Sequence, residues 1–490
     1  MKRSAGILLP ISSLPSNYGI GTLGKQAYQF VDFLVDAKQS YWQILPICPT
    51  SYGDSPYQTF SSFAGNPYFI DLDLLVKDGL LSKKDLKNLK PANEEYIDYE
   101  NIYNTRFKVL YIAYTNGFKK DELEFNEFIN KNDKLKDYAF YMAIKEYFDM
   151  KSWIDWPDND IRLRKVDAIN KYQEMLKDRI CFYEYIQFLF FKQFNKLKDY
   201  MNDKGIKLIG DIPIYVSLDS CDCWTNPECF ELDENYVPKA VAGVPPDYFT
   251  ADGQLWGNPL YNYEYMKSNG YKFWIDRIGA ASNIYDVIRI DHFRGFESYW
   301  SVPYGDKTAK NGKWVKGPSM DLLNVLKNWF NNVEFIAEDL GYHTPEVQQM
   351  LDDFGFPGMK VLEFGFDSRE ASNHAPHAYN ENCVCYVGTH DNSTIVGWLT
   401  AADKNDVKYA LKYLGLNDTK DFNWHMIIAG MSSVANLFIA QIQDYLGLDD
   451  SARINQPGTL GNNWKWRLKK GQLSKKLANK IKDYTIMYER

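Results

Sequence analysis

The stretch "VIRIDHFRGF", Val287 to Phe296, begins with the β-branched apolar residues of a buried parallel strand and then places Arg289, Asp291, His292 and Arg294 in close succession. An apolar strand with a charged end fits a parallel sheet whose C-terminal edge carries a site. Seven more short apolar runs bounded by turn residues follow the same plan. They are "GILLPI" (6–11), "YWQILPI" (41–47), "IKLIGDIPIY" (206–215), "EFIAEDL" (334–340), "GMKVLEF" (358–364), "CVCYVGTHD" (383–391) and "LFIAQIQDYL" (437–446). Helical patterns separate most of them, such as "LGKQAYQFVDFLVDAKQ" between the first two and "TPEVQQMLDDFG" before the run at 358. Eight alternating units with near-continuous apolar strands predict an α/β fold, a (β/α)8 TIM barrel.

The spacing of the units is uneven. Residues 48–205 are mostly charged helical sequence with Tyr and Phe stripes, which predicts a mainly helical insertion over 73–200 whose stripes form its own core. After the third run, a Gly-, Pro-, Asp- and aromatic-rich stretch with little periodicity predicts a long ordered loop, an inserted subdomain over 216–270 that covers the cleft. No repeat, low-complexity tract or flexible linker divides the chain, so residues 1–490 read as a single catalytic barrel with insertions.

Composition narrows the partners. With 45% hydrophobic and 24% charged residues the chain is ordinary for a globular protein, and 490 residues can bury a large core. A formal charge of −8 and a pI near 5.5 argue against nucleic acid and anionic membranes, which need a basic face. The N-terminal apolar run Gly6–Ile11 is broken by Pro10 and is too short for a signal peptide, so the expected location is cytoplasmic. Seven cysteines, an odd number in a long chain, fit reduced thiols. Cys221, Cys223 and Cys229, and Cys383 with Cys385, lack the paired spacing of a zinc site, so no metal is expected there. The motif "GIGTLG", Gly19 to Gly24, matches a dinucleotide fingerprint, but Ser12–Tyr18 separates it from the strand and the next strand has no terminal acid. A glycine-rich loop before a helix is the reading it supports.

Acids at strand ends carry the stronger signal. Asp291, Glu338 and Asp391 close the runs beginning at 287, 334 and 383, where a parallel barrel gathers its active site. One such acid is as well explained by a helix cap or an ion pair; three together point to chemistry. Arg289 lies two residues before Asp291, on the same side of the strand, and favours the charged carboxylate a nucleophile needs. A neighbouring ionised aspartate raises the pKa of Glu338 and keeps it protonated, as a general acid requires. Asp339 points to the opposite face. His390 and Asp391 in "GTHDN" can donate to and accept from sugar hydroxyls. The pairs Asp291-His292 and His390-Asp391 also leave a metal-dependent hydrolase as a minority reading, against which Arg289 weighs. Aromatic residues make up 16% of the chain, and Tyr52, Tyr57, Tyr248, Phe249, Trp256 and Tyr261 lie in Gly/Pro loops. Their flat faces and polar tips suit sugars, while most other rings pack the insertion.

Nine ordered motifs then make a specific resemblance: "GILLPISSLPSNYGIGTLG", "SYWQILPICPTSYGDSPYQTFSSFAGNPYFIDL", "IGDIPIYV", "AGVPPDYFTADGQLWGNPLY", "IRIDHFRGF", "AEDLG", "FPGMKVLEF", "GTHDN" and "INQPGTLGNNWKWR". Over essentially its whole length the chain resembles the amylomaltases, the 4-α-glucanotransferases of glycoside hydrolase family 77. The resemblance implies a (β/α)8 barrel, no metal or organic cofactor, and a retaining mechanism on maltooligosaccharides and α-1,4-glucans. It implies Asp291 as nucleophile, Glu338 as general acid/base and Asp391 as transition-state stabiliser. Arg289, His292, His390, Tyr57, Asp211 and Trp256 would line the donor sugar site, with Tyr248 and Phe249 in a loop over the cleft that helps bind acceptors. An α-amylase-type hydrolase would share the acids, and a non-catalytic glucan-binding protein would have no need of them.

Overall fold

The computed structural model describes every residue except Tyr52, 247–249 and 342–343. Twelve strands run in chain order: β1 (Ser4–Leu8), β2 (Tyr41–Gln43), β3 (Lys207–Ile212), β4 (Ala240–Val244), β5 (Gln254–Pro259), β6 (Val287–Ile290), β7 (Ser298–Pro303), β8 (Lys313–Lys316), β9 (Glu334–Ala337), β10 (Gly358–Val361), β11 (Cys383–Tyr386) and β12 (Leu437–Gln441). Eight of them form one parallel sheet in the order β10-β11-β12-β1-β2-β3-β6-β9. The register is regular, with Ala5 beside Phe438 and Asp211 beside Arg289. β9 and β10 are the ends of that order and meet through the Ala337 N–H, which donates to the Pro357 carbonyl at 3.0 Å. The sheet is thus a nearly closed barrel, and all eight apolar runs supply its strands.

The strands are shorter than the runs that announce them: β6 and β9 stop one residue before Asp291 and Glu338, and β11 stops at Tyr386, before Val387 and Gly388. β1, β6 and β11 are buried along their whole length, as strands between an inner core and an outer helix layer must be. The helix Lys25–Asp36 turns Ala27, Phe30, Val31, Phe33 and Leu34 inward, and Phe30 meets Trp42 of β2 edge-on at 4.9 Å between ring centres. Thr344 caps the helix Pro345–Phe354, whose first residue is proline, and Gly355 ends it at φ 71°. The loop Gly19–Gly24 packs rather than cradles: a Cβ on Gly21 would fall 1.8 Å from the Ile11 carbonyl oxygen, and one on Gly24 would fall 2.0 Å from the Asp71 carboxylate.

Between β2 and β3 stand the helices Tyr99–Gly117, Glu122–Asn130, Asp133–Tyr147, Val166–Met175 and Lys177–Asp203, among shorter ones. Their aromatic stripes meet one another: Phe118 lies 5.3 Å from Phe125 and Tyr114 5.7 Å from Tyr185, whose hydroxyl donates to Asp121 at 2.7 Å. The stretch after β3 is more ordered than its sequence pattern indicates. It supplies β4 and β5, which join β7 and β8 in an antiparallel sheet ordered β5-β4-β7-β8. A register shift between Val241 and Gly243 breaks the alternation that would have announced β4. Among the described residues no helix is long and apolar enough to cross a membrane.

Candidate active site

The C-terminal ends of the barrel strands bring most of the expected residues together. Arg289, on β6, is almost fully buried, and its Nη1 donates to both oxygens of Asp211 at 2.7 Å and to Asp291 Oδ1 at 2.9 Å. Burial works against its charge, and Asp211 and Asp291 outweigh that cost, so the guanidinium stays protonated. Asp211 has no exposed side-chain surface and also accepts from the Tyr57 hydroxyl at 2.7 Å. It therefore reaches the cleft through Arg289 and Tyr57 rather than directly. Asp291 lies one residue beyond β6 with its side chain 30% exposed, open to the cleft.

Glu338 follows β9 directly and is buried. Its Oε2 accepts from the His292 N–H and its Oε1 from the Leu340 N–H, both at 2.7 Å. These bonds favour the charged carboxylate. Burial, and then repulsion from Asp291, outweigh them and push the carboxyl up to about 8, so it holds a proton at neutral pH. Burial is the larger cause, where sequence reasoning had rested on repulsion. Asp339 does turn the other way, and its Oδ1 accepts from the Met359 N–H at 2.7 Å.

The segment between the two acids is strained to make this arrangement. His292 adopts φ 54°, in the left-handed region, which turns its N–H toward Glu338. Desolvation pushes its imidazole down to about 4, so it is neutral, and Trp256 on β5 meets it edge-on at 4.8 Å. The second sheet is what delivers Trp256 to this position.

Asp391 is not at a strand end as the sequence pattern indicates. β11 stops at Tyr386, and Asp391 sits five residues on, in a turn, with its side chain 44% exposed. It is reached by His390 Nε2 at 3.3 Å and by the Asn455 amide, which donates at 2.6 Å. His390 is buried, stacks on Tyr57 at 5.1 Å, and places Nδ1 3.5 Å from the Tyr57 hydroxyl. Trp464 lies 5.7 Å from Tyr57 and 6.1 Å from His390. Tyr57, Trp256, Asp291, His390, Asp391, Asn455 and Trp464 line one cleft. Tyr248 and Phe249 lie outside the described residues. Asn455 and Trp464 had no assigned role from sequence, although both fall in "INQPGTLGNNWKWR"; a run beyond the last strand of a barrel is where another cleft-lining loop belongs. Cys221, Cys223 and Cys229 are buried, unpaired thiols whose pKa values burial pushes up, and among the described residues no group of three or more His, Cys, Asp or Glu side chains is arranged to hold a metal ion.

A buried arginine pinning one carboxylate beside a second that keeps its proton is an arrangement for glycosyl transfer. The family model for glycoside hydrolase 77, 4-alpha-glucanotransferase, matches residues 9–474. The chain belongs to this family. It is 50% identical to the 4-alpha-glucanotransferase of Clostridium butyricum, with 98% of this chain and 99% of that one aligned. To that of Thermus thermophilus it is 41% identical over 97% and 96% of the two chains. The amylomaltase of Streptococcus agalactiae, solved in complex with acarbose, superposes with a TM-score of 0.98 at 41% identity and full coverage of both chains. The chain is accordingly a 4-alpha-glucanotransferase, an amylomaltase-type enzyme acting on α-glucans.

Proposed function

We propose that Asp291 is the nucleophile, Glu338 the general acid and base, and Asp391 the stabiliser of the transition state, with Arg289, His292, His390, Tyr57 and Trp256 holding the donor sugar. The observation that carries this reading is the pairing of Arg289 Nη1 with Asp291 Oδ1 next to a Glu338 that burial keeps protonated. Arg289 occupies Oδ1 and leaves Oδ2 for the anomeric carbon. Attack forms the Asp291–C1 bond as the C1–O4 bond breaks, and the Glu338 proton passes to the leaving O4. The acceptor 4-hydroxyl then gives its proton to Glu338 and attacks C1, which releases Asp291 with the original configuration. Asp391, exposed to the cleft and held by Asn455, is placed to bind hydroxyls beside the reacting carbon more strongly as charge develops there. Asp211 acts by fixing Arg289 and Tyr57.

Maltooligosaccharides are the donors and acceptors that fit a cleft lined by Tyr57, Trp256 and Trp464. The loop carrying Tyr248 and Phe249 holds the acceptor, whose oriented hydroxyl outcompetes water by its effective molarity. Seven unpaired cysteines support a cytoplasmic site of action. The test is overnight incubation with maltotriose in the presence of a chelator, followed by chromatography. A ladder of longer maltooligosaccharides plus glucose, absent for Asp291→Asn, is the expected result. Glucose and maltose alone would mean a hydrolase, and turnover by Asp291→Asn would remove that residue from its role.

A further inference from the structure

Asp391 lies in a turn five residues past the end of its strand, and an exposed carboxylate on a turn is not rigid by itself. What holds the turn is the segment that follows β12. The Arg453 guanidinium spans the two: Nη2 donates to the Asp391 carbonyl at 2.6 Å, Nη1 to Ser393 Oγ at 3.1 Å, and Nε to the Asn455 carbonyl at 2.7 Å. Around that hub, the Asn455 N–H donates to the His390 carbonyl at 3.1 Å and the Asn455 amide to Asp391 Oδ1 at 2.6 Å. Asp450 accepts from the Thr394 N–H at 2.9 Å and from Ser393 Oγ at 3.1 Å, and its carbonyl accepts from the Arg453 N–H at 3.1 Å.

We propose that Arg453 is a positioning residue for the glucanotransferase reaction, fixing Asp391 and Asn455 as one unit through three donors that lie in a single plane. The inference rests on the role proposed above for Asp391. A lysine at this position keeps the charge but not the fork, so it can satisfy one of the three acceptors firmly and frees the turn to shift. A displacement on the order of 1 Å costs a catalytic constellation about 100-fold. Because Asp391 acts chiefly in the transition state, the loss should fall on kcat, with KM for maltotriose nearly unchanged.

The test is a double-mutant cycle with Arg453→Lys and Asp391→Ala, read as kcat and KM on maltotriose and, for the slower variants, on an α-maltosyl fluoride donor. The expected result is a kcat reduced about 10- to 100-fold in Arg453→Lys, a melting temperature close to that of the parent, and no further loss when Asp391→Ala is already present. Losses that multiply in the double variant, or a KM that rises while kcat holds, overturn the positioning role. An Asp391→Ala enzyme that is as active as the parent overturns the assignment of Asp391 instead, so the two failures are distinct. If Arg453→Lys does not fold, Ser393→Ala removes one acceptor of the same fork and should show a weaker, equally non-additive loss of kcat; additivity there overturns the proposal as well.

Discussion

Replacing Glu338 with glutamine should slow transfer by orders of magnitude and yet make the protein more heat-resistant than the parent as the pH rises. The carboxyl titrates near 4.5 in the unfolded chain and at about 8 in the folded one. Below 4.5 it is neutral in both states. Between the two values the unfolded chain has lost a proton that the folded chain keeps, so stability falls by about 1.4 kcal/mol per pH unit, to a total of roughly 4–5 kcal/mol at pH 8. Glutamine never bears that penalty. It has a different one, because both carboxylate oxygens accept from backbone N–H groups, and one of those groups would face the new amide NH2. That mismatch costs about 1–3 kcal/mol at every pH. The variant should therefore be the less stable protein at pH 4.5 and the more stable one, by about 1–4 kcal/mol, at pH 8. Unfolding 490 residues carries an entropy of about 1 kcal/mol/K, so the difference in melting temperature should swing by roughly 4–5 °C across that range. Scanning calorimetry of both proteins from pH 4.5 to 8.5 measures it; titrating groups remote from Glu338 cancel in the comparison, and its interaction with Asp291 and Arg289 is part of the difference that is read. A melting difference that does not change with pH would falsify the claim that the folded protein holds Glu338 neutral. On maltotriose the variant should lose about 10²- to 10⁴-fold in rate. An α-glucosyl fluoride donor should restore the first step, because fluoride departs without a proton; no rescue would mean that Glu338 is not the acid.

The same carboxyl predicts that kcat/KM of the parent enzyme falls above about pH 8 as Glu338 loses its proton, which a pH–rate profile on maltotriose reads directly. Asp291→Asn should leave no measurable maltotriose disproportionation while keeping the parent's circular dichroism; residual turnover would point to another nucleophile. Asp211→Ala leaves the Arg289 guanidinium buried with half its partners, and should cost about 3–5 kcal/mol of stability in denaturant melts together with activity. Alanine at both Tyr248 and Phe249 should shift products from longer oligosaccharides toward glucose and maltose, and an unchanged ratio of transfer to hydrolysis would remove that loop from acceptor binding.

The barrel was legible because most of its strands are buried on both faces, which leaves a continuous apolar run such as "VIRI" that no surface strand would show. Asp291 and Glu338 were legible for a related reason: a carboxylate in the first position past such a run has no structural purpose as simple as its neighbours'. Asp391 was found by its motif, but its place in a turn was not, since the pattern "CVCYVG" continues apolar after the hydrogen-bonded ladder has stopped at Tyr386. β4 and β5 were hidden by Gly243, Gly253 and Gly257, which suit close backbone approach and turns and so erase the alternation of a strand. Arg453 and Asn455 left no mark of their own. Their meaning depends on a partner more than 60 residues away, and only the folding of the last strand beside β11 brings the two loops together.

The joint between β9 and β10 has one more implication. A strand ladder is replaced there by the Ala337–Pro357 hydrogen bond, by the stacked rings of Phe335 and Phe356 at 4.9 Å, and by the Asp339 carboxylate standing in for a carbonyl beneath Met359. Glu338 sits between those fastenings. The dipeptide Glu338-Asp339 thus gives one side chain to the reaction and the other to the wall, and the acid's alignment with Asp291 depends on the least tightly laced part of the hoop. A change in how this seam closes would carry Glu338 with it, so the barrel's closure and the acid's aim are one structural problem.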